Sequence, residues 1–243
     1  MKLKSVIFGS RDTYERMADV LRYSVYKNSP KTPLKIYHKR MDRELMTLGR
    51  QRDKTVVENA MKTKYHCEIV QNAEKGEVIG LLDCDTMVMR DLSCIEKKKF
   101  DLAITYRPNR AKLMFNSGVV FVRISNKTKQ LYRDWLEIAR EMLQNNEFYN
   151  KWRAVFGGIN QTSLGYLTTL DDYKKIKILG LECQEWNCEN ETWDLFNEET
   201  RIVHILGELR RGIFRGGGYP DEATRRLAGI WHRYEWELLN GES

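Results

Sequence analysis

With 243 residues and a formal net charge of +7, the chain can bury a full core, is long for one domain and short for two, and points to an anionic ligand or partner: nucleotide phosphates, nucleic acid or an acidic membrane face. Its 42% hydrophobic content falls in short periodic runs, and no uncharged run approaches the ~20 residues of a membrane span, which excludes a disordered or spanning chain and makes the cytoplasm the expected location. The cysteines, Cys67, Cys84, Cys94, Cys183 and Cys188, are odd in number and lack a C-x-x-C spacing, so neither a disulfide framework nor a zinc knuckle is indicated and reduced, core-packing thiols are expected.

Leu3 to Phe8 reads as a buried first strand ended by Gly9 and Ser10, and Thr13 is placed to cap a helix carrying Met17, Val20, Leu21 and Val25 on one face. Pro30 and Pro33 bracket a turn before a short strand, Leu34 to Tyr37, and a polar helix follows from about Asp53 to His66. The run Val78 to Leu82 is a strand ending on Asp83-Cys84-Asp85. Asp101 to Thr105 and Val119 to Arg123 are further strands, the second preceded by Phe115-Asn116-Ser117-Gly118. Asn126 starts a helix whose Leu131, Trp135, Ile138 and Met142 keep helical spacing and face the core. Gly157-Gly158 leads into a helix around Gln161 to Leu167, and Ile176 to Leu179 and Ile202 to Leu206 are the last strands. A Gly216-Gly217-Gly218 hinge separates this body, 1–215, from a segment 216–243 packed on the same domain. Its helix opens at Asp221 and turns Ala223, Leu227, Ile230, Trp231, Tyr234 and Leu238 inward. Strands alternating with helices, without an internal repeat, predict an α/β fold with a mostly parallel central sheet flanked by helices.

The acid pair at the end of Val78 to Leu82 carries the most chemistry. Alternate side chains of an extended segment point to the same side, so Asp83 and Asp85 can face one ion while Cys84 turns back toward the protein. In an open α/β sheet, ligands sit beyond the carboxyl ends of strands, where this pair falls. The segment reads as a metal site for a phosphorylated ligand. A D-x-D pair also arises as a loop or helix-cap acid pair, and the residues by themselves leave both readings open.

The motifs Leu82-Asp83-Cys84-Asp85-Thr86-Met87-Val88 with Asp91-Leu92, Phe115-Asn116-Ser117-Gly118-Val119, Asn160-Gln161, Trp186-Asn187 and Ile202-Val203-His204-Ile205-Leu206-Gly207 follow one another in an order that resembles a known pattern. It is that of the nucleotide-diphospho-sugar transferase (GT-A) fold, and within it the glycogenin and lipopolysaccharide-galactosyltransferase type. The resemblance implies that Asp83, Asp85 and His204 hold a divalent cation, Mn²⁺ or Mg²⁺, that bridges the donor's diphosphate. Two carboxylates plus an imidazole suit Mn²⁺ better than the all-oxygen shell of Mg²⁺, and the ion would neutralise charge growing on the leaving diphosphate. Taken alone, His204 reads more readily as a histidine satisfied at a strand end.

The same resemblance makes Gly9, Arg11, Tyr14, Lys54, Cys84, Asn116, Ser117, Gly207 and Arg210 donor-binding. Gly9, Arg11 and Tyr14 would hold the nucleoside, with Tyr14 stacked on the base. Gly207 and Arg210 would touch the diphosphate within the family's histidine-x-x-glycine-x-x-lysine segment, Asn116 and Ser117 would line the sugar site, and Lys54, or Lys62, would reach a further phosphate. Asn160 and Gln161 stand in place of a catalytic aspartate-glutamine pair bordering the transferred sugar, with Gln161 orienting rather than reacting. Three positions depart from the pattern. Arg210 replaces the lysine, and arginine grips phosphate in bidentate fashion. Arg11 stands where an acidic residue is usual, which leaves the base open around an expected UDP-sugar. Asn160 removes a carboxylate, so retention of configuration rests on the resemblance, with Asp171 and Asp172 as other sources of charge. Packing of Tyr14 on the sheet and solvated roles for Arg210, Lys54 and Lys62 are the competing readings.

The expected function is a metal-dependent, retaining glycosyltransferase that moves a sugar from a nucleotide-diphosphate donor to a hydroxyl acceptor. A nucleotidyltransferase shares the core and the metal, but commonly carries a glycine-rich basic loop where this chain has Gly9-Ser10-Arg11-Asp12. A non-catalytic basic nucleic-acid-binding module is a third class. The first and last merge in an enzyme acting on a hydroxylated base in DNA, extruded from the duplex, with Arg211 and Arg215 contacting the strand.

Overall fold

The computed structural model describes residues 1–8, 12–108 and 114–241. Its elements in chain order are β1 (Lys2–Phe8), α1 (Asp12–Asn28), β2 (Leu34–Lys39), α2 (Arg43–Leu48), α3 (Lys54–Gln71), β3 (Val78–Leu82), β4 (Thr86–Val88), β5 (Leu102–Tyr106) and β6 (Phe115–Arg123). They continue with α4 (Asn126–Gln144), α5 (Asn146–Phe156), α6 (Ile159–Thr169), β7 (Ile178–Glu182), α7 (Cys183–Trp186), β8 (Ile202–His204), α8 (Gly207–Arg215) and α9 (Glu222–Leu239).

Six strands make the central sheet in the order β2-β1-β3-β6-β5-β7. β1 runs parallel to β2 and β3, β5 runs parallel to β7, and β6 is antiparallel to both its neighbours, so the sheet is mostly parallel, as expected. β3 is buried along its whole length because layers cover both faces. Its alternate residues divide between them. Ile79 and Leu81 join the cluster built with α3, α4 and α6, whereas Val78 and Leu82 pack with Leu21 and Val25 of α1. α8 and α9 extend the α1 side, where Leu209, Leu227, Trp231 and Tyr234 share a cluster with Met17, Val20 and Tyr23. A separate antiparallel ribbon, β4 with β8, also lies on that side.

Local chemistry sets the element ends. α4 opens on a capping box between Ser125 and Thr128, and α9 on one between Asp221 and Thr224. α1 already includes Asp12, so Thr13 lies within its first turn and is not its cap. Leu238 is exposed on α9, not inward, because the last turn runs past the edge of the cluster. β6 takes in Phe115 to Gly118, and its register with β5 jumps from Ile104↔Val120 to Thr105↔Asn116. Ser117, Gly118 and Val119 therefore bulge away from β5 beside the end of β3, and the Asp83 N–H donates to the Gly118 carbonyl at 2.8 Å. All five cysteines are free, and among the described residues no helix is long and apolar enough to cross a membrane.

Candidate metal and donor site

β3 ends one residue before Asp83, and the chain turns at once into β4. The Thr86 hydroxyl donates to the Asp83 carbonyl at 2.8 Å and closes that turn. β4 then pairs with β8 so that Thr86 lies opposite His204, which brings an imidazole 119 residues away in sequence to the acid pair. The Asp85 carbonyl accepts from Ile205 N–H at 2.8 Å, locking the two segments at the site itself.

One ligand atom from each of Asp83, Asp85 and His204 lies within 4.8 Å of the other two. His204 Nε2 is 3.1 Å from Asp85 Oδ1 and 3.9 Å from Asp83 Oδ2. On the far side of the ring, Nδ1 sits 3.0 Å from Asn187 Oδ1, Asn187 Nδ2 donates to Thr105 Oγ1 at 3.0 Å, and that hydroxyl donates to the Asn116 carbonyl at 3.0 Å. The chain has one consistent polarity. Because Thr105 spends its hydrogen on a carbonyl it accepts from the Asn187 amide, so Asn187 turns its oxygen to the imidazole and Nδ1 carries a hydrogen. Loss of a ring proton then bares Nε2, the nitrogen aimed at the carboxylates. Gly118 completes the seat, since a β-carbon there would lie 2.3 Å from His204 Cε1.

Two cations balance the acids. Lys62 Nζ contacts both Asp83 oxygens at 2.6 and 2.9 Å, and Arg210 NH1 lies 3.0 Å from Asp85 Oδ2. Burial opposes ionisation of Asp85, but His204, Arg210 and Lys62 outweigh it and hold its pKa below the ordinary carboxylate value. Burial likewise opposes charge on His204, yet Asp85 and Asp83 raise its pKa above the usual imidazole value. The Cys84 thiol is pushed well up by burial and then by the adjacent aspartates, so it is inert packing within the α1-side cluster. Two carboxylates and an imidazole whose outward nitrogen is held by an amide form a mixed oxygen–nitrogen donor set that fits a divalent cation.

This group opens into a cavity of about 310 Å³ whose walls include Phe8, Tyr14, Thr55, Glu58, Asn59, Lys62, Leu206 and Arg210. The structure thus brings Tyr14, Cys84 and Arg210 to the three metal-ligand candidates. Gly207, at φ +44, opens α8 at the adjoining cavity, and Arg211 and Arg215 line that second cavity. Asn116 and Ser117 stand just behind the site: Asn116 Oδ1 accepts from Gly118 N–H at 2.7 Å, and the Ser117 carbonyl accepts from Lys62 at 3.3 Å. Asn160 is buried, and its amide donates to Ser117 Oγ at 2.7 Å. The Gln161 amide donates to the Phe115 and Phe156 carbonyls at 2.7 and 2.9 Å, tying α6 to β6. Neither residue lines the 310 Å³ cavity. Lys54, 61% exposed and 3.8 Å from Glu58, also stays outside it, and Asp171 is exposed and paired with Lys174. Gly9 and Arg11 lie outside the described residues.

The sequence offers Lys54 and Lys62 alike, and the fold decides between them: Thr55, Glu58, Asn59 and Lys62 recur at i, i+3, i+4 and i+7 on the face of α3 turned to the cavity, a stripe that excludes Lys54. Asn187 sits within a motif that the sequence displays, but only the hydrogen-bond chain reveals its partner.

No protein-family model matches the sequence, and no curated protein matches it. Solved structures do resemble it in fold. A glycosyltransferase involved in the glycosylation of the major capsid of PBCV-1 gives a TM-score of 0.57 at 10% identity, covering 96% of this chain and 98% of that one. The galactosyltransferase LgtC, solved with donor and acceptor sugar analogs, gives 0.58 at 13% identity over 95% of this chain and 96% of its own. The glycosyltransferase GlyE of Streptococcus pneumoniae TIGR4, in apo form, gives 0.62 at 17% identity over 99% of this chain, which spans 62% of GlyE. The chain has the GT-A fold of these glycosyltransferases.

Proposed function

We propose that this protein is a divalent-metal-dependent glycosyltransferase that transfers a sugar from a nucleotide-diphosphate donor to a hydroxyl acceptor. The observation that carries the reading is the convergence of Asp83, Asp85 and His204 at the carboxyl end of β3, where they line the 310 Å³ cavity. A cation held there would neutralise charge on the leaving diphosphate. Around it, Arg210 and Lys62 are cations poised to exchange carboxylate oxygens for phosphate oxygens, and Tyr14 offers a ring to the nucleoside. Asn160 and Gln161 position the sugar side through Ser117 and the Phe115 carbonyl, as neutral amides without nucleophilic capacity.

Retention of anomeric configuration belongs to this proposal. Asp83 and Asp85 are committed to the cation, which leaves Glu58 among the described carboxylates lining the cavity. An inverted product, read by proton NMR of the anomeric centre, would contradict retention and direct attention to Glu58 as a base.

A panel of nucleotide sugars, UDP-sugars first, tests the activity itself. One member should be hydrolysed without acceptor in Mn²⁺ and left intact in EDTA. Inertness of the whole panel in Mn²⁺ would overturn the proposal. The net charge of +7 favours an anionic acceptor, of which a hydroxylated base in DNA is one form.

A further inference from the structure

A second cavity, of about 390 Å³, lies between α1 and α8 and shares Tyr14 and Arg210 with the candidate donor cleft. Arg210, Arg211 and Arg215 all line it, Thr13 adds a hydroxyl, and Met17 and Phe214 supply an apolar floor. No carboxylate is among its lining residues, whereas the donor cleft carries Glu58, Asp83 and Asp85. Arg210 is neutralised by Asp85 at 3.0 Å. Among the described residues neither Arg211 nor Arg215 has an ion-pair partner. The acids nearest in sequence leave the cavity alone: Asp12 and Glu15 lie in the first turn of α1 but do not line it, and Glu208 borders a separate crevice with Arg211 without forming an ion pair.

Arg211 and Arg215 stand four residues apart on one face of α8, where like charges repel and weaken a helix. A basic residue in the last turn favours the helix dipole, which accounts for Arg215 but not for three arginines on one wall. Among the described residues, Arg211 and Arg215 lack a counter-charge. Arginines lining a recess with one hydroxyl and an apolar floor match a phosphate ester, whose oxygens accept several charge-assisted hydrogen bonds while its carbon part rests on Met17 and Phe214.

We propose that this cavity is a phosphate subsite, and that it holds a phosphoryl group of the acceptor while the donor occupies the neighbouring cleft. The subsite stands on the cavity's own geometry; its assignment to the acceptor rests on the glycosyltransferase reading. The shared wall of Tyr14 and Arg210 keeps the two ligands adjacent, so a hydroxyl carried on the same molecule as the phosphate is delivered toward the sugar. The acceptor is therefore a phosphorylated compound bearing a free hydroxyl, and a neutral glycan binds poorly.

The test is a phosphorus NMR titration of glycerol 3-phosphate, the smallest probe with both groups, into protein saturated with UDP and diamagnetic Mg²⁺. Saturable binding beside UDP is expected, with no binding of glycerol. The double variant Arg211→Ala, Arg215→Ala should bind the ester at least about tenfold more weakly, the Arg→Lys pair should keep part of the affinity, and both should bind UDP as the wild type does. Equal ester affinity in the alanine variant would overturn the subsite. One-for-one competition between ester and UDP would overturn its assignment to the acceptor, because the phosphate would then be the donor's own. Failure of UDP to bind at all would sink the glycosyltransferase reading, and the same titration without UDP would still decide the subsite.

Discussion

His204 is held on three sides, by Asn187 at Nδ1, Gly118 against the ring and Asp85 at Nε2. The ligand role proposed for it therefore depends on residues outside the cavity lining, Asn187 and Gly118. Replacing Asn187 with alanine leaves Nδ1–H and the Thr105 hydroxyl without their partner in a buried place, so the ring loses its fixed orientation. Mn²⁺ affinity measured by calorimetry should fall roughly 10- to 100-fold, while a far-ultraviolet spectrum stays native. Undiminished affinity would reduce Asn187 to packing. At this scale the sequence displays ionic chemistry better than neutral chemistry. Asp83, Asp85, His204 and Arg210 become candidates through the order of motifs that resembles the GT-A pattern, since residue type and spacing alone leave each of them open. Asn187 stands in the Trp186-Asn187 motif, but the role of its amide shows only once its partner from β8 is beside it, and Lys62 is separated from Lys54 only by which face of α3 the fold turns to the cleft.

Among the elements, β6 does the most to shape the site, because its bulge places Gly118 against the His204 ring. Gly118→Ala should destabilise the protein by about 1–3 kcal/mol through overpacking and weaken Mn²⁺ binding with it; a thermal melt and the same calorimetry read both. Unchanged values in both would show that the ring has room to move. A second element carries a pH dependence. Partial burial works against the Asp42 carboxylate, which caps α2, but Lys64 and the Leu45 N–H, which donates to Asp42 at 3.0 Å, hold its pKa below the ordinary value. A depressed folded-state pKa gives stability that is present above the unfolded value, about 3.9, and is lost as pH falls through the folded one. Acid unfolding monitored by circular dichroism should therefore show an added loss below about pH 4 in the wild type that Asp42→Asn lacks. Parallel acid profiles would contradict this. The long periodic helices α1, α3, α4 and α9 and strands β1, β3 and β6 were legible in the sequence. The six-residue α2, the four-residue α7 and the three-residue β4 were not, because so few residues show no period. β4 matters most of these, since its pairing with β8 delivers His204.

For the whole molecule, the C-terminal segment 216–243 bears on both cavities. α9 packs Leu227, Trp231 and Tyr234 into the cluster that also holds α1 and α8, the helices that present Tyr14 and Arg210. We therefore expect it to belong to the same folding unit as 1–215. Trp231→Ala should cost about 3–5 kcal/mol, and chains ending at Arg215 should fail to give a cooperative melt; a truncated chain with wild-type stability would contradict that. Charge at this scale is uneven, with carboxylates gathered at the candidate metal site and, beside it, Arg211 and Arg215, which form no ion pair among the described residues, an arrangement that suits two anionic ligands side by side. The account as a whole stands on the cation site, and electron paramagnetic resonance of Mn²⁺ titrated into the protein with UDP present examines it most directly. It predicts one tightly bound ion per chain, lost on the order of a hundredfold or more in Asp85→Ala and in His204→Ala while both variants remain folded. Absence of a bound ion in the wild type, or equal binding in the folded variants, would contradict it.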